Sequence, residues 1–145
     1  MLILLPLLAV LAGDSAKKTA PETSLPILPT RHTKFTTDEG TWMSLDVSPD
    51  GKSVVFDLVG DLYTVPITGG TATRITSGMG FDGQPRFSPD GKSVVYVTDR
   101  TGYENLWLVD VDGKNPRALT SDKDAQYISP AWTPDGQYLV VSRNK

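Results

Sequence analysis

The sequence predicts an all-β chain, a partial β-propeller of about two and a half four-stranded antiparallel blades. Three observations carry this. One tetrapeptide occurs three times, as Ser48-Pro49-Asp50-Gly51, Ser88-Pro89-Asp90-Gly91 and Thr133-Pro134-Asp135-Gly136, with starts 40 and then 45 residues apart. Its chemistry is that of a tight turn. Pro sets φ at the first central position, Asp tolerates the second, and Gly takes the left-handed residue that lets two strands resume pairing. The strings around each copy can also be laid on one another. Finally, the runs between turns are short, β-branched and aromatic, with no helical periodicity after Ala12. A hairpin turn recurring every ~40–45 residues marks one blade per repeat.

The chain has 145 residues, a formal charge of −3 and a pI near 5.0. No basic patch is present, which argues against nucleic acid or an anionic membrane surface as partner. There are no cysteines, hence no disulfides or thiolate metal sites. Residues 1–12 are almost entirely apolar. They are too few for a membrane span, which takes ~20 residues, but they suit the core of a secretory signal. Val10-Leu11-Ala12 offers a cleavage site, although no Lys or Arg precedes the apolar run. The expectation is export to the periplasm or beyond the cell, with no membrane span after signal removal. Residues 13–30, with Pro21, Pro26 and Pro29, read as an extended linker. The blades occupy 31–145.

Each repeat runs through the same elements. A strand with a Thr end comes first: Lys34 to Thr37, Arg74 to Ser77, and Ala118 to Ser121. A Gly- or Asp-rich loop follows, then an inner strand (Met43 to Val47, Gln84 to Phe87, Ile128 to Trp132), then the Pro-Asp-Gly turn. The middle strands begin at Ser53, Ser93 and Gln137, and the next strands are Leu62 to Val65 and Leu106 to Val109. Both faces of the middle strands are apolar, as a sheet packed on both sides requires. An insertion of four residues within the loop Asp99 to Glu104 lengthens the middle hairpin of the second blade. Gly69-Gly70 and Asp112-Gly113 close the following hairpins. Lys34 to Thr37 has no upstream partner strands, and propellers close with ~4–8 blades. The expectation is therefore the N-terminal portion of a longer protein, with blade faces and a strand edge uncovered.

The string Phe87-Ser88-Pro89-Asp90-Gly91-Lys92 before an apolar strand, then Asp99-Arg100 and Asn105-Leu106-Trp107, resembles the WD-like repeats of TolB-type propellers. The resemblance covers about Arg31 to Lys145. The string from Phe35 through Trp42 to Gly51, with Ala72 to Gly78 and Gln84 to Gly91, looks like the start of exported bacterial proteins in which such a propeller precedes an amidohydrolase domain. Similar repeats precede serine-peptidase domains of the prolyl oligopeptidase and tricorn kinds. The repeat identifies the fold strongly and the activity weakly.

Catalytic chemistry is sparse. An amidohydrolase needs a His and Asp cluster opening with His-x-His, and the one histidine, His32, sits in the linker. The family's metal residues carry over to no position, so no cofactor belongs to this chain. By resemblance, a zinc-like divalent metal would sit in a missing C-terminal domain. The Gly-x-Ser-x-Gly elbow of serine hydrolases is absent, and Ser53 and Ser93 are strand residues. Gly78-Met79-Gly80-Phe81-Asp82-Gly83 matches a dinucleotide fingerprint, but Pro85 and Pro89 follow where a helix should open. Asp110, Asp112 and Gly113 lack the closing glutamate of a calcium loop, and Asp122 and Asp124 read as loop acids. Tyr63 and Trp107, like Trp42 and Tyr127, fall at equivalent places and read as packing. If there is a recognition surface, it lies where blade-to-blade loops meet the middle hairpins: Asp61, Asp82, Asp99, Arg100, Tyr103, Glu104 and Asp124.

The expected function is that of a non-catalytic N-terminal propeller segment of an exported amidohydrolase-type hydrolase, acting as scaffold or binding module. The alternatives are an envelope interaction propeller of the TolB kind, or the gating propeller of a prolyl-oligopeptidase or tricorn-type peptidase. Expected partners are the remaining blades, a C-terminal domain of the same protein, and a protein or peptide ligand.

Overall fold

The computed structural model describes residues 33–145 and, as a strand, Leu2–Pro6. The linker and His32 lie outside the described residues. Among the described residues there are eleven strands, β1 (Leu2–Pro6), β2 (Leu45–Val47), β3 (Ser53–Leu58), β4 (Asp61–Pro66), β5 (Thr73–Arg74), β6 (Asp82–Phe87), β7 (Ser93–Thr98), β8 (Asn105–Asp110), β9 (Arg117–Ala118), β10 (Gln126–Trp132) and β11 (Tyr138–Asn144). They form two four-stranded sheets, β2-β3-β4-β5 and β6-β7-β8-β9, and a three-stranded sheet, β1-β11-β10. All pairings are antiparallel. This is a partial propeller of two full blades and a third.

The three Pro-Asp-Gly turns share one hydrogen-bond pattern. Gly51 N donates to Ser48 O, Gly91 N to Ser88 O and Gly136 N to Thr133 O, at 2.8, 2.8 and 2.9 Å. The glycines sit at φ of +70°, +71° and +69°, the left-handed bulge position. The leading hydroxyl does more than the sequence reading assigned to it. Ser48 Oγ donates to Asp50 Oδ1 at 2.7 Å and accepts from Ser53 N at 2.9 Å, while Lys52 N also donates to Asp50 Oδ1. Ser88 with Asp90, and Thr133 with Asp135, repeat this arrangement.

Alternation along β7 and β8 divides the core into two blade interfaces. Val94, Tyr96, Trp107 and Val109 pack toward Val55, Leu62 and Ile75 of the first blade, with Phe87 in the same cluster. Val95, Val97, Leu106 and Leu108 pack the other way, on Ala125, Tyr127, Leu139 and Val141 of the third. Burying side chains such as Leu106 and Val95 stabilises by roughly 1.5–3 kcal/mol each.

Three strand expectations are corrected. Lys34 to Thr37 forms no strand; these residues are exposed, and no described strand pairs with them. The outermost strands are two residues long, not four, because the ladder ends in a side chain. Thr76 Oγ1 accepts from Leu62 N at 2.8 Å and Thr120 Oγ1 from Leu106 N at 2.9 Å, while the amides of Ile75 and Thr76 both turn onto Leu62 O and those of Leu119 and Thr120 onto Leu106 O. The inner strands β6 and β10 are interrupted, with register shifts at Gly83/Arg86 and Ile128/Ala131 where Gln84 and Ser129 take φ of 54° and 55°. The apolar run at the N terminus contributes β1.

Candidate recognition face between the blades

The Val59-Gly60 turn, the loop from Ser77 to Phe81 and the Asp99–Glu104 insertion meet at one end of the first two blades. Both turn residues have positive φ, 54° and 83°, which fits the right-handed twist of a two-residue hairpin. Asp82 N donates to Gly60 O at 2.9 Å, and Phe81 N donates to Asp99 Oδ1 at 2.7 Å. Gly80 lies against the Arg100 backbone so closely that a Cβ there would stand 2.9 Å from Arg100 Cα.

Arg100 fills the corner these loops create. Its Nη2 donates to both oxygens of Asp82, at 2.9 and 2.7 Å, with both side chains buried. Its guanidinium carbon lies 4.8 Å from the Trp107 ring centroid and 5.6 Å from that of Tyr96. Thr98 Oγ1 accepts from Arg100 N and Nε at 3.3 and 3.4 Å. Among the described residues the Tyr96 hydroxyl and Trp107 Nε1 have no hydrogen-bond partner. Burial pushes the Tyr96 phenol well above its usual range, Arg100 opposing and Asp82 adding. Asp61, beside this pair, bonds Arg74 at 3.3 Å. Burial is the main cause raising its carboxyl, with Arg74 pulling down and Asp82 pushing up.

The equivalent corner between the second and third blades uses different groups. Buried Asn105 occupies the register position of Asp61. Its Nδ2 donates to Asp122 O at 2.9 Å, and its Oδ1 accepts from Asp122 N and Thr120 Oγ1 at 2.9 and 2.8 Å. Asp122 accepts from the Tyr127 hydroxyl and from Arg143 Nε at 3.0 Å, contacts that hold its carboxyl below the usual range. Asp124 pairs with Lys145 at 3.3 Å and, at 3.8 Å, with Arg143.

The structure thus gathers Asp61, Asp82, Asp99 and Arg100 at one blade junction and Asp124 at the next. Asp82 and Arg100 are engaged with each other, and Asp99 with the Phe81 amide. Tyr103 is exposed on the insertion and Glu104 is half-buried beside it.

Residues that the sequence reading passed over join the blades. Buried Asp57 accepts from Ser44 N at 3.0 Å within the first blade and from Gln84 N at 3.1 Å in the second. Asp46 Oδ2 accepts from Phe87 N at 2.8 Å. Gln84 Oε1 accepts from Ser129 N at 2.6 Å, and Trp132 Nε1 donates to Arg86 O at 3.3 Å. One signal was available: Asp57 stands at the core-facing parity of β3, two residues after Val55.

Among the described residues no group of three His, Cys, Asp or Glu is placed to hold a metal. The acids with side-chain contacts are spent on backbone amides, hydroxyls, the Asn115 amide, lysines and arginines. What the fold and this face define is a propeller segment whose charged groups hold the loops within each blade and, through Asp46, Asp57 and Arg86, join the first blade to the second. The chain belongs to the family of the tricorn protease N-terminal beta propeller domain, whose model matches residues 46–145. It is 31% identical over 94 residues to tricorn protease homolog 1 of Streptomyces coelicolor, covering 65% of this chain and 9% of that protein. The solved TolB structure from Agrobacterium tumefaciens superposes with a TM-score of 0.66 at 32% identity, over 73% of this chain and 40% of that one. Puromycin hydrolase superposes with a TM-score of 0.52 at 26% identity, over 67% and 17%. The chain spans from about a tenth to a third of the length of the curated relatives it matches.

Proposed function

We propose that this chain supplies non-catalytic blades of a propeller that acts as an interaction and scaffolding module in an exported, envelope-located protein of the TolB kind. The observation that carries this reading is the use of the charged loop residues. They are occupied in holding the loops of each blade, Asp82 by Arg100, Asp61 by Arg74 and Asp99 by the Phe81 amide, while the strand acids Asp46 and Asp57 join the first blade to the second. The likeness to TolB supports the interaction role. A second reading, the gating propeller of a tricorn or prolyl-oligopeptidase type peptidase, is favoured by the family match over residues 46–145. The amidohydrolase context expected from resemblance is the least supported of the three.

The test takes the full open reading frame beside the 145-residue chain. Both are assayed for hydrolysis of fluorogenic aminoacyl and peptide amides, with metal content measured in parallel, and both serve as bait against envelope extract. The proposed reading expects no hydrolysis from either and a shared captured protein. Metal-free peptide hydrolysis by the full-length protein alone would move the peptidase reading ahead. Metal-dependent amide hydrolysis would restore the amidohydrolase context. Turnover by the 145-residue chain would overturn the non-catalytic assignment.

A further inference from the structure

Trp42, read from the sequence as packing, is fully exposed, and Phe35 and Phe81 are exposed beside it. The three rings line one open cavity of about 390 Å³, together with Glu39, Asp57 and Val59. That volume lies in the range of small-ligand sites. The backbone around the cavity is closely set. Thr37 Oγ1 donates to Glu39 O at 2.9 Å and accepts from Glu39 N at 3.1 Å. Gly40 lies so near the first blade that a Cβ there would overlap Met43 Sδ and stand 3.0 Å from Leu58 Cδ1. The Phe81 ring lies over Gly60 and Gly83, where added Cβ atoms would stand 3.4 Å from its Cδ2 and 3.3 Å from its Cε1. Trp42 and Val59 hold left-handed backbone, at φ of 59° and 54°. That region is uncommon without glycine and least favourable for a β-branched residue. Large apolar side chains are thus held outward on costly backbone, a combination that marks binding surfaces.

The charges around this cavity have one sign. Glu39 and Asp57 are carboxylates, and no Lys, Arg or His is among the described residues that line it. Asp57 accepts the Ser44 and Gln84 amides, whereas among the described residues the hydrogen bonds of Glu39 are made by its backbone. Aromatic faces attract cations through the ring quadrupole, and a carboxylate beside them adds a charge partner. A planar guanidinium can stack on a ring and bond a carboxylate at once, which the point charge of an ammonium does less well. We infer that this recess is a recognition site for an organic cation, and that its occupant is the guanidinium of an arginine side chain on a partner peptide. The inference rests on the interaction reading proposed above and supplies the partner's chemistry. Exposed cation–π contacts are individually weak, so selectivity comes from three rings and a carboxylate acting on one charge.

The test takes the product of the full open reading frame beside the 145-residue chain, both labelled with fluorotryptophan. The Trp42 fluorine resonance is assigned from Trp42→Phe. The probe is acetyl-Gly-Arg-Gly-amide, and the control peptide carries citrulline, which has the shape of arginine without its charge. The inference expects a saturable shift of the Trp42 resonance in both proteins, with the arginine peptide binding at least about five times more tightly than the citrulline peptide. Glu39→Gln and Phe81→Leu should each weaken arginine binding by about two- to fivefold. Both change exposed residues outside the two core clusters. The absence of a saturable shift, or equal binding of the two peptides, would overturn the inference, as would arginine binding unchanged in both variants. A response confined to the 145-residue chain would also overturn it, assigning the recess to a contact within the longer protein. Capture from envelope extract draws on any surface of the protein. Capture that persists beside a failed titration therefore removes this site and leaves the interaction reading in place.

Discussion

Arg100 donates from a single nitrogen to both carboxylate oxygens of Asp82, 2.9 and 2.7 Å away, in a corner where the pair is all but sealed from solvent. The guanidinium plane meets Trp107 and Tyr96, whose polar atoms have no partners among the described residues. A buried ion pair of this kind ranks low as a source of net stability, because desolvation offsets much of the attraction. Removing one member is another matter, since the remaining charge is stranded. Arg100→Ala should therefore cost about 3–5 kcal/mol. The double change Asp82→Leu/Arg100→Met should cost clearly less than the sum of its singles. Urea titration of the three variants, followed by tryptophan fluorescence, measures this. Additive losses would show that the two residues do not act as a pair.

Asp57 sets up a second prediction, at the inner ends of the blades. One oxygen takes the Ser44 amide and the other takes the Gln84 amide of the next blade. The Gln84 backbone is in the left-handed region, so its N–H is turned out of the sheet ladder and needs this acceptor. Asp57→Ala leaves two amides without partners, at about 1–3 kcal/mol for each that water cannot reach. Amide exchange at Gln84 should rise with the loss of stability. Unchanged exchange at Gln84 in the alanine variant would show that the carboxylate is not its acceptor.

These contacts mark where the sequence could be read and where it could not. The turns, blade count and hairpin insertion were legible because each is a local rule. Ser-Pro-Asp-Gly bends the chain wherever it occurs, and a two-residue turn becomes a six-residue loop by simple insertion between Thr98 and Asn105. The two-sided core was legible in the apolar parity of β7 and β8. The polar junctions were not. Asp57 meets Gln84 only after blades stack, Asp82 meets Arg100 only across the β6–β7 ladder, and neighbouring blades solve one junction differently, with Asp61 at one and Asn105 at the next. The four-residue outer strands failed for a local reason. Thr76 and Thr120 put a hydroxyl where the ladder would have put a carbonyl.

Gly91 tests the turn itself. A Cβ at this position would meet only Pro49 Cδ, at 3.6 Å, an ordinary contact. The cost of a side chain is thus the left-handed backbone, not crowding. Gly91→Ala should destabilise by about 1–2 kcal/mol and Gly91→Val by more, because β-branching worsens positive φ. Gly113→Ala should be worse than Gly91→Ala. It shares the positive φ, at +83°, and its Cβ would also stand 2.8 Å from Ile75 O. Thermal melts rank the three, and wild-type behaviour in Gly91→Val would remove the left-handed assignment.

The three turn aspartates make the fold acid-sensitive, with a sign that can be worked out. Asp50, Asp90 and Asp135 are each held below the ordinary carboxylate value of 3.8, first by the hydroxyl of Ser48, Ser88 or Thr133, then by the backbone amide two residues on. A carboxyl depressed in the folded state contributes stability that is fully present above the unfolded value and lost as pH falls through the folded one. Asp112 and Asp122 are shifted in the same direction. Asp61 is shifted upward, so its protonation favours the folded chain on acidification. Five depressed carboxyls against one raised leave a net loss of stability below about pH 4. Replacing the three hydroxyl residues with alanine removes the main hydrogen-bond donor from three of the five carboxylates. The Ser48→Ala/Ser88→Ala/Thr133→Ala variant should be less stable at pH 7 yet lose less between pH 7 and pH 3 than the parent. Urea midpoints at the two pH values decide it. An equal loss in parent and variant would mean that the hydroxyls do not set the acid response.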